Sequence, residues 1–593
     1  MEINEKLKRL REAMRKEGID VYIIPSGDPH LSEYVADHFK AREWISGFTG
    51  SAGTVVVSQD HAGLWTDSRY FLQAEEELAG TEFELHKVID RSYPNFIKYI
   101  TEHFPAGTVV GCDGKVFSYK QIESYKKEFE PYNIKLQAGK DLITPLWEGR
   151  PPLPQNEIFD LPVQFTGESR EEKIQRVRNI MQDNKVDYYL ITALDSIAWL
   201  LNARGSDIEY NPVFLSFLVV ENDKLTLFIE KEKIPAALYQ NFTKAGIEIK
   251  PYAEVYDFLT QLEKSKKIYL DKSLCNYYLY ISINANITQG NDIVAQMKTI
   301  KNNVEIAKLK EAHIKDGVAL VRFYIWLEKE LQHNTVSEYE AAKKIAYFRS
   351  LDANYISESF GAIVGYKSNG AIIHYSPSEK QSADIKAEGM LLIDSGGQYL
   401  NGTTDITRTT YFGNPTDEEK RNFTLVLKGH IAVANLIYPQ GTNGYQIDTF
   451  ARQYLWQYGL NYYHGTGHGV GFFLNVHEGP QGISYSCIDR TKVPLAEGML
   501  NSNEPGYYKD GHYGIRIENL ILTVLKQETD FGKFYGHETV SLFPIDTKLI
   551  DKSLLTKTET AWINDYHDTV FNSLIKYLNE EEKHWLKKKC EKI

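Results

Sequence analysis

Residues 462–480 read YYHGTGHGVGFFLNVHEGP, which sets His464, His468 and His477 among Gly465, Gly467, Gly469 and Gly471. Imidazole is the side chain that binds metals and carries protons near neutral pH. Glycine removes side-chain bulk where a backbone must pass close to another group. Acidic residues flank this stretch on both sides. Upstream, GMLLIDSGGQYLNGTTDITRTTYF (389–412) carries Asp394 at the end of an apolar run and Asp405 at the head of an alternating one. Downstream, NSNEPGYY holds Glu504 before Pro505, which biases the glutamate to extended backbone. YGIRIENLILTV carries Arg516 and Glu518.

The apolar run ending at Asp394 and the alternating run from Asp405 read as two antiparallel strands, with Gly396, Gly397 and Asn401-Gly402 as turn signals. A connection centred between Tyr399 and Leu400 sets Asp394 directly opposite Asp405, with Cβ atoms ~5 Å apart. Two carboxylates that close require a shared proton or a cation. A lone aspartate reads as a solvated turn residue, but this pair is followed by two further acids at strand positions. Glu518 stands in an otherwise apolar strand, with Arg516 on its face; an ion pair between those two is the plain alternative. Four carboxylates and His468 make a hard, oxygen-rich set suited to two divalent cations. Two such ions ~3.5–4 Å apart hold a bridging hydroxide and polarise a carbonyl. His464 and His477 are left for substrate contacts and proton transfer. The glycines are expected to bring backbone close to the metals and to a substrate. A dinucleotide loop does not fit, because the third glycine of that fingerprint falls at Val470.

Several elements must position these groups. A 593-residue chain exceeds a single core and predicts three or four domains. KLKRLREAMRKEGIDVYII from Lys6 aligns without gaps to KIQRVRNIMQDNKVDYYLI from Lys173. Each reads as an amphipathic helix followed by a buried strand, so the first two domains are expected to share one α/β fold. The proline-rich stretch 145–162 reads as a linker. A long helix is expected from about Asn303. Thr416 and Glu419 form a capping box for another, and the last stretch reads as helical.

Composition narrows the function. The net charge is −13, from 67 basic and 80 acidic residues, and no basic stripe for a nucleic acid is present. The charged start MEINEKLKRLREAM lacks an apolar signal region, so no signal peptide is expected. No apolar run approaches the ~20 residues of a membrane span. Four scattered cysteines (Cys112, Cys275, Cys487, Cys590) suit a reducing compartment.

The ordered set Asp394, Asp405, His468, Glu504, Glu518 resembles the ligand set of the pita-bread metallopeptidases. FTGSAGT, WTDSRYFLQA, ALDSIAWLLNARGSD, NGAIIHY, HGTGHGVGFFLNVHEGP and EPGYY extend the resemblance over nearly the whole chain, to the long three-domain cytosolic aminopeptidases P. It implies an α/β (α+β) protein: two related creatinase-like domains, 1–155 and 156–300, then a pita-bread catalytic domain with a C-terminal extension, 301–593. It implies removal of the residue before proline from peptide N-termini, in a cytoplasmic homodimer with two Mn²⁺ ions and no nucleic-acid or membrane partner. Asp394 would chelate one metal, Asp405 and Glu518 would bridge, and His468 and Glu504 would complete the other. His374 and His477 would contact the scissile peptide and stabilise the tetrahedral intermediate. His464 would lie near the proline pocket, Arg69 would bind peptide, and Arg516 would orient a bridging carboxylate. Asn503 departs from relatives that carry an acid before the glutamate. The rival readings are a prolidase restricted to dipeptides, a metal-free creatinase-like hydrolase, and a non-catalytic peptide- or protein-binding module.

Overall fold

The computed structural model describes residues 2–67, 69–89 and 95–593. The chain forms two compact units, one of residues 1–160, 168–209 and 213–294, the other of 161–167, 210–212 and 295–593.

The first unit contains two six-stranded sheets of the same topology. One runs Glu84–Val88, Ala62–Asp67, Thr54–Val57, Val21–Pro25, Val109–Cys112, Lys135–Gln137. The other runs Ile247–Lys250, Leu225–Phe228, Phe217–Glu221, Tyr188–Ile191, Lys267–Leu270, Asn286–Gln289. In each, the strand expected from the internal alignment is central, antiparallel to the next strand of its sheet and parallel to a later one. The helices before them, Ile3–Glu17 and Arg170–Asp183, bury Leu7, Leu10, Met14 and Ile174, Val177, Met181 at helical spacing. Hydrogen bonds tie the two halves of this unit: Tyr119 N–H donates to Cys275 O, and Asn276 Nδ2 donates to Pro29 O. Within the stretch 145–162, Phe159–Asp160 forms a two-residue strand against Ala203–Arg204.

The longest helix of the second unit is Asn303–Glu330. Its capping box is Asn302 with Glu305, and Gly317 lets Leu542 O approach to 2.3 Å from where a Cβ would stand. Thr416 and Glu419 cap Asp417–Ala434 in the same way. The strands Ile363–Tyr366, Gly389–Ser395 and Ile406–Phe412 form one sheet. Leu500–Asn503 and Asn519–Thr529 lie in a second sheet with Gly467–Gly469 and Glu478–Ile483. Gly506–Lys509 and Tyr513–Arg516 make a separate ribbon. One apolar core runs from the long helix through Leu391, Ile393, Ile406 and Ile515 to the C-terminal helices Lys557–Leu574 and Glu580–Lys589.

Two local expectations are corrected. Asp394 pairs with Thr407 rather than Asp405, and the same register continues through Gln398 with Thr403 and Tyr399 with Gly402. The hairpin therefore turns at Leu400-Asn401, one residue later than expected. Gly402, at φ +152, accommodates the close pass of Leu309. Residues 513–529 are not one strand. The ribbon stops at Arg516 and the long strand starts at Asn519. Between them Ile517 N–H turns to Pro505 O and Glu518 N–H to Thr407 O.

Candidate active site

The break in strand pairing at Ile517-Glu518 is what brings the acids together. Glu518 leaves its own strand pairing and its N–H donates to Thr407 O at 3.1 Å, which carries its side chain to the Asp394 hairpin. Thr407 Oγ1 then donates to Glu518 Oε2 at 2.6 Å. Arg408 fastens the same junction, donating to Glu518 O at 2.6 Å and to Asn519 Oδ1 at 2.8 Å.

Across the site, His468 stands on the short strand Gly467–Gly469. Its Nδ1–H donates to Gly469 O at 3.0 Å, which makes Nε2 the lone-pair nitrogen. That Nε2 lies 3.5 Å from Asp405 Oδ2 and 3.7 Å from Glu504 Oε1. Asp405, His468 and Glu518 each place one ligand atom within 4.8 Å of the others. Glu504 N–H donates to Thr466 O, and its carboxylate accepts from Ser502 Oγ. Asp394 is held by Arg516, with Nη2 to Oδ2 at 2.6 Å and Nε at 3.2 Å. In this structure Arg516 pairs with Asp394 and not with Glu518.

The electrostatics of this cluster are unfavourable on their own. Burial, then Glu518, Asp394 and Glu504, push the Asp405 carboxyl well above its usual range. Burial, then Asp394 and Glu504, do the same to Glu518. Burial first, with Asp394 adding to it, lifts Glu504 to about 7. Asp394 Oδ1, Asp405 Oδ1 and Glu518 Oε1 are buried without a hydrogen-bond partner. Unpartnered carboxylate oxygens that converge in this way are costly. A hard divalent cation is the group whose chemistry fits them.

The remaining histidines take distinct places. His477 packs edge-on to His468, with ring centroids 4.3 Å apart and planes at 80°. His464 Nε2 meets Tyr508 Oη at 2.9 Å, and Arg516 Nη1 donates to the same hydroxyl at 2.7 Å. Arg452, paired with Asp448, donates to His464 O at 2.7 Å. His374 is half-buried in the turn after Lys367–Ala371. Arg69, in the first unit, is gripped by Asp67 through two 2.8 Å contacts. Asn503 Nδ2 donates to His430 O at 2.9 Å, tying its strand to the helix Asp417–Ala434.

The glycines serve the protein's own packing. A Cβ on Gly467 would stand 2.0 Å from Ser502 O, and one on Gly469 would stand 2.3 Å from Glu478 O. They allow the strands beside His468 to close on each other. Thr407 and Tyr508 were missed by reading residue types, because a threonine in an alternating strand and a tyrosine after a turn carry no signal of their own. The nearest hint was that Thr407 shares the alternating face of Asp405.

Comparison with known proteins agrees with this arrangement. Residues 307–524 match the model of metallopeptidase family M24, and residues 533–593 match its C-terminal region. Residues 6–144 and 149–305 match models of the creatinase/prolidase N-terminal domain. A probable Xaa-Pro aminopeptidase P of Laccaria bicolor is 42% identical over 99% of this chain and 93% of its own length. Xaa-Pro aminopeptidase 1 of Dictyostelium discoideum is 41% identical over 99% and 96%. The structure of X-prolyl aminopeptidase from Caenorhabditis elegans, described as a cytosolic enzyme with a di-nuclear active site, superposes over the full length of both chains with a TM-score of 0.95 at 34% identity. No helix among the described residues is long and apolar enough to cross a membrane. The chain belongs to metallopeptidase family M24, within its Xaa-Pro aminopeptidase P group, and is an α/β protein with two creatinase-type N-terminal domains ahead of a pita-bread catalytic domain.

Proposed function

We propose that this chain releases the N-terminal residue from peptides whose second residue is proline, at a centre of two Mn²⁺ ions held by Asp394, Asp405, His468, Glu504 and Glu518. The observation that carries the reading is the buried cluster in which Asp405, Glu504 and Glu518 meet His468 with Asp394 beside them, three carboxylate oxygens lacking a hydrogen-bond partner. When bound, two divalent cations supply an activated water and polarise the scissile carbonyl. Asp405 and Glu518 would hold the ions together with Asp394, and His468 with Glu504 would complete the set. Arg516 holds and aims Asp394, and Thr407 fixes the orientation of Glu518. His477, packed on His468, stands at the scissile peptide and donates to the oxyanion as it forms. His374 shares that task, and His464, fixed by Tyr508, borders the pocket for the proline ring. Arg69 contacts the continuing peptide chain.

Proline suits such a centre. The Xaa-Pro amide has no N–H, so strand-like capture loses a donor. A free α-amino group and a carbonyl oxygen remain to be gripped, and an acidic site holds the amine. The domain division 1–155, 156–300 and 301–593, a homodimeric assembly and a cytoplasmic location belong to the same reading.

The deciding measurement is kcat/KM on Arg-Pro-Pro, Arg-Pro, Arg-Ala-Pro and acetyl-Arg-Pro-Pro in Mn²⁺. Arg-Pro-Pro is expected to be the best substrate and the acetylated peptide nearly inert. A strong preference for Arg-Pro would make the chain a prolidase. Full activity after exhaustive chelation would overturn the metal centre.

A further inference from the structure

His61, Glu84 and His86 meet at the edge of the first six-stranded sheet, and none of them belongs to the site described above. The parallel pairing of Ala62–Asp67 with Glu84–Val88 sets Gly63 beside Glu84 and Trp65 beside His86. Glu84 and His86, two residues apart, share one face of the edge strand. His61 stands just before the neighbouring strand, where its N–H donates to Ser58 Oγ and its carbonyl accepts from Ser58 N–H. His86 lies flat on Trp65, with ring centroids 3.8 Å apart and planes 7° apart. Gly63 makes room for that stack, since a Cβ there would come within 2.4 Å of the Trp65 ring and 2.8 Å of His86.

The imidazoles face each other, with His61 Nε2 and His86 Nε2 3.2 Å apart. Two metal–nitrogen bonds of ~2.0–2.1 Å at the tetrahedral angle put their nitrogens about 3.3 Å apart. The observed pair therefore already has the bite of a tetrahedral site. Glu84 Oε2 lies 3.9 Å from His61 Nδ1, and the three residues can offer ligand atoms all within 4.8 Å of one another. The Glu84 side chain is 71% exposed and can swing inward. Burial lowers the pKa of both histidines. Two imidazoles and one carboxylate favour Zn²⁺, whereas the oxygen-rich catalytic cluster favours harder ions.

We propose that His61, His86 and Glu84 form a second divalent-cation site, selective for Zn²⁺ over Mn²⁺, that clamps the edge strand Glu84–Val88 to the turn preceding its neighbour. Water would fill the open position. The proton between the two Nε2 atoms would move to Nδ1 of its own ring, which frees both Nε2 lone pairs for the ion.

The test is the Zn²⁺ stoichiometry of the full chain, measured against a chromophoric chelator, for the wild type, His61→Asn and His86→Ala. Mn²⁺-dependent hydrolysis of Arg-Pro-Pro is followed alongside. Each variant is expected to bind one Zn²⁺ fewer than the wild type while keeping its Mn²⁺-dependent turnover. Cu²⁺, which prefers the same donors, should quench part of the tryptophan fluorescence through Trp65, and that part should vanish in both variants. His61→Asn keeps the stack of His86 on Trp65, so it answers the question even where His86→Ala does not fold. Equal Zn²⁺ stoichiometry in the wild type and His61→Asn overturns the proposal.

Discussion

Glu504→Gln separates the two consequences of crowding four carboxylates into one buried site. In protein freed of metal by chelation, burial first, opposed by Arg516 and helped by Asp394, holds the Glu504 carboxyl at about 7, against 4.5 for the unperturbed group. A folded-state value above the unfolded one means that the folded chain binds this proton more tightly. The group is therefore harmless below pH 4.5 and progressively opposes folding as the pH rises to 7. At 1.36 kcal/mol per pH unit, that gap is worth about 3 kcal/mol. Glutamine keeps the shape and cannot ionise. Metal-free Glu504→Gln should therefore gain about 3 kcal/mol over metal-free wild type on going from pH 4.5 to 7.5, measured by urea unfolding in chelator. The buried histidines His430, His537 and His567, whose pKa values burial lowers, oppose folding in acid instead. They titrate alike in both proteins and cancel in the difference. In Mn²⁺ the order should reverse, because the wild type gains stability from bound metal and the variant has lost a donor. An identical pH dependence for the two metal-free proteins would refute the claim that burial raises the Glu504 carboxyl.

Arg516→Met should destabilise the metal-free protein at pH 7 by about 3–5 kcal/mol, the usual cost of removing one partner from a buried ion pair. Urea unfolding checks it, and Mn²⁺ should recover part of the loss. Gly467→Ala should cost more than 1–3 kcal/mol, the usual penalty of overpacking, because its Cβ would stand 2.0 Å from Ser502 O; Gly465→Ala, at 3.2 Å from Ile483 O, should cost much less. Thermal unfolding of the two variants side by side gives the ranking. His468→Ala should lose bound metal, whereas His477→Ala should keep it and lower kcat by about 100-fold to 10,000-fold, the range for a positioned proton-transfer or oxyanion group. Metal analysis with steady-state kinetics distinguishes them, and equal metal loss in both would erase the division of roles.

Much of this molecule could be read from residue order, because the deciding signals are local. Helical spacing of Leu7, Leu10 and Met14, matched by Ile174, Val177 and Met181, marked the repeated helix–strand unit that opens both N-terminal sheets. The pairs Asn302/Glu305 and Thr416/Glu419 mark helix starts through hydrogen bonds spanning only three residues. Acids at the ends of apolar runs stood out because an ionised group in such a run needs a partner. What depended on contacts between distant residues was not available in the same way. The hairpin register between Asp394 and Thr407 was settled by a two-residue turn at Leu400-Asn401, which the several glycines nearby left ambiguous. The break between Arg516 and Asn519 arises because Glu518 N–H finds Thr407 O, 111 residues away, in place of a partner in its own strand. The glycines around His468 look in sequence like clearance for a ligand. In three dimensions they are clearance for Ser502 O and Glu478 O, since a missing Cβ states that something comes close but not what. The pairing of His61 with His86 is likewise invisible in the chain, where 24 intervening residues separate them. It follows from the parallel register of two neighbouring strands.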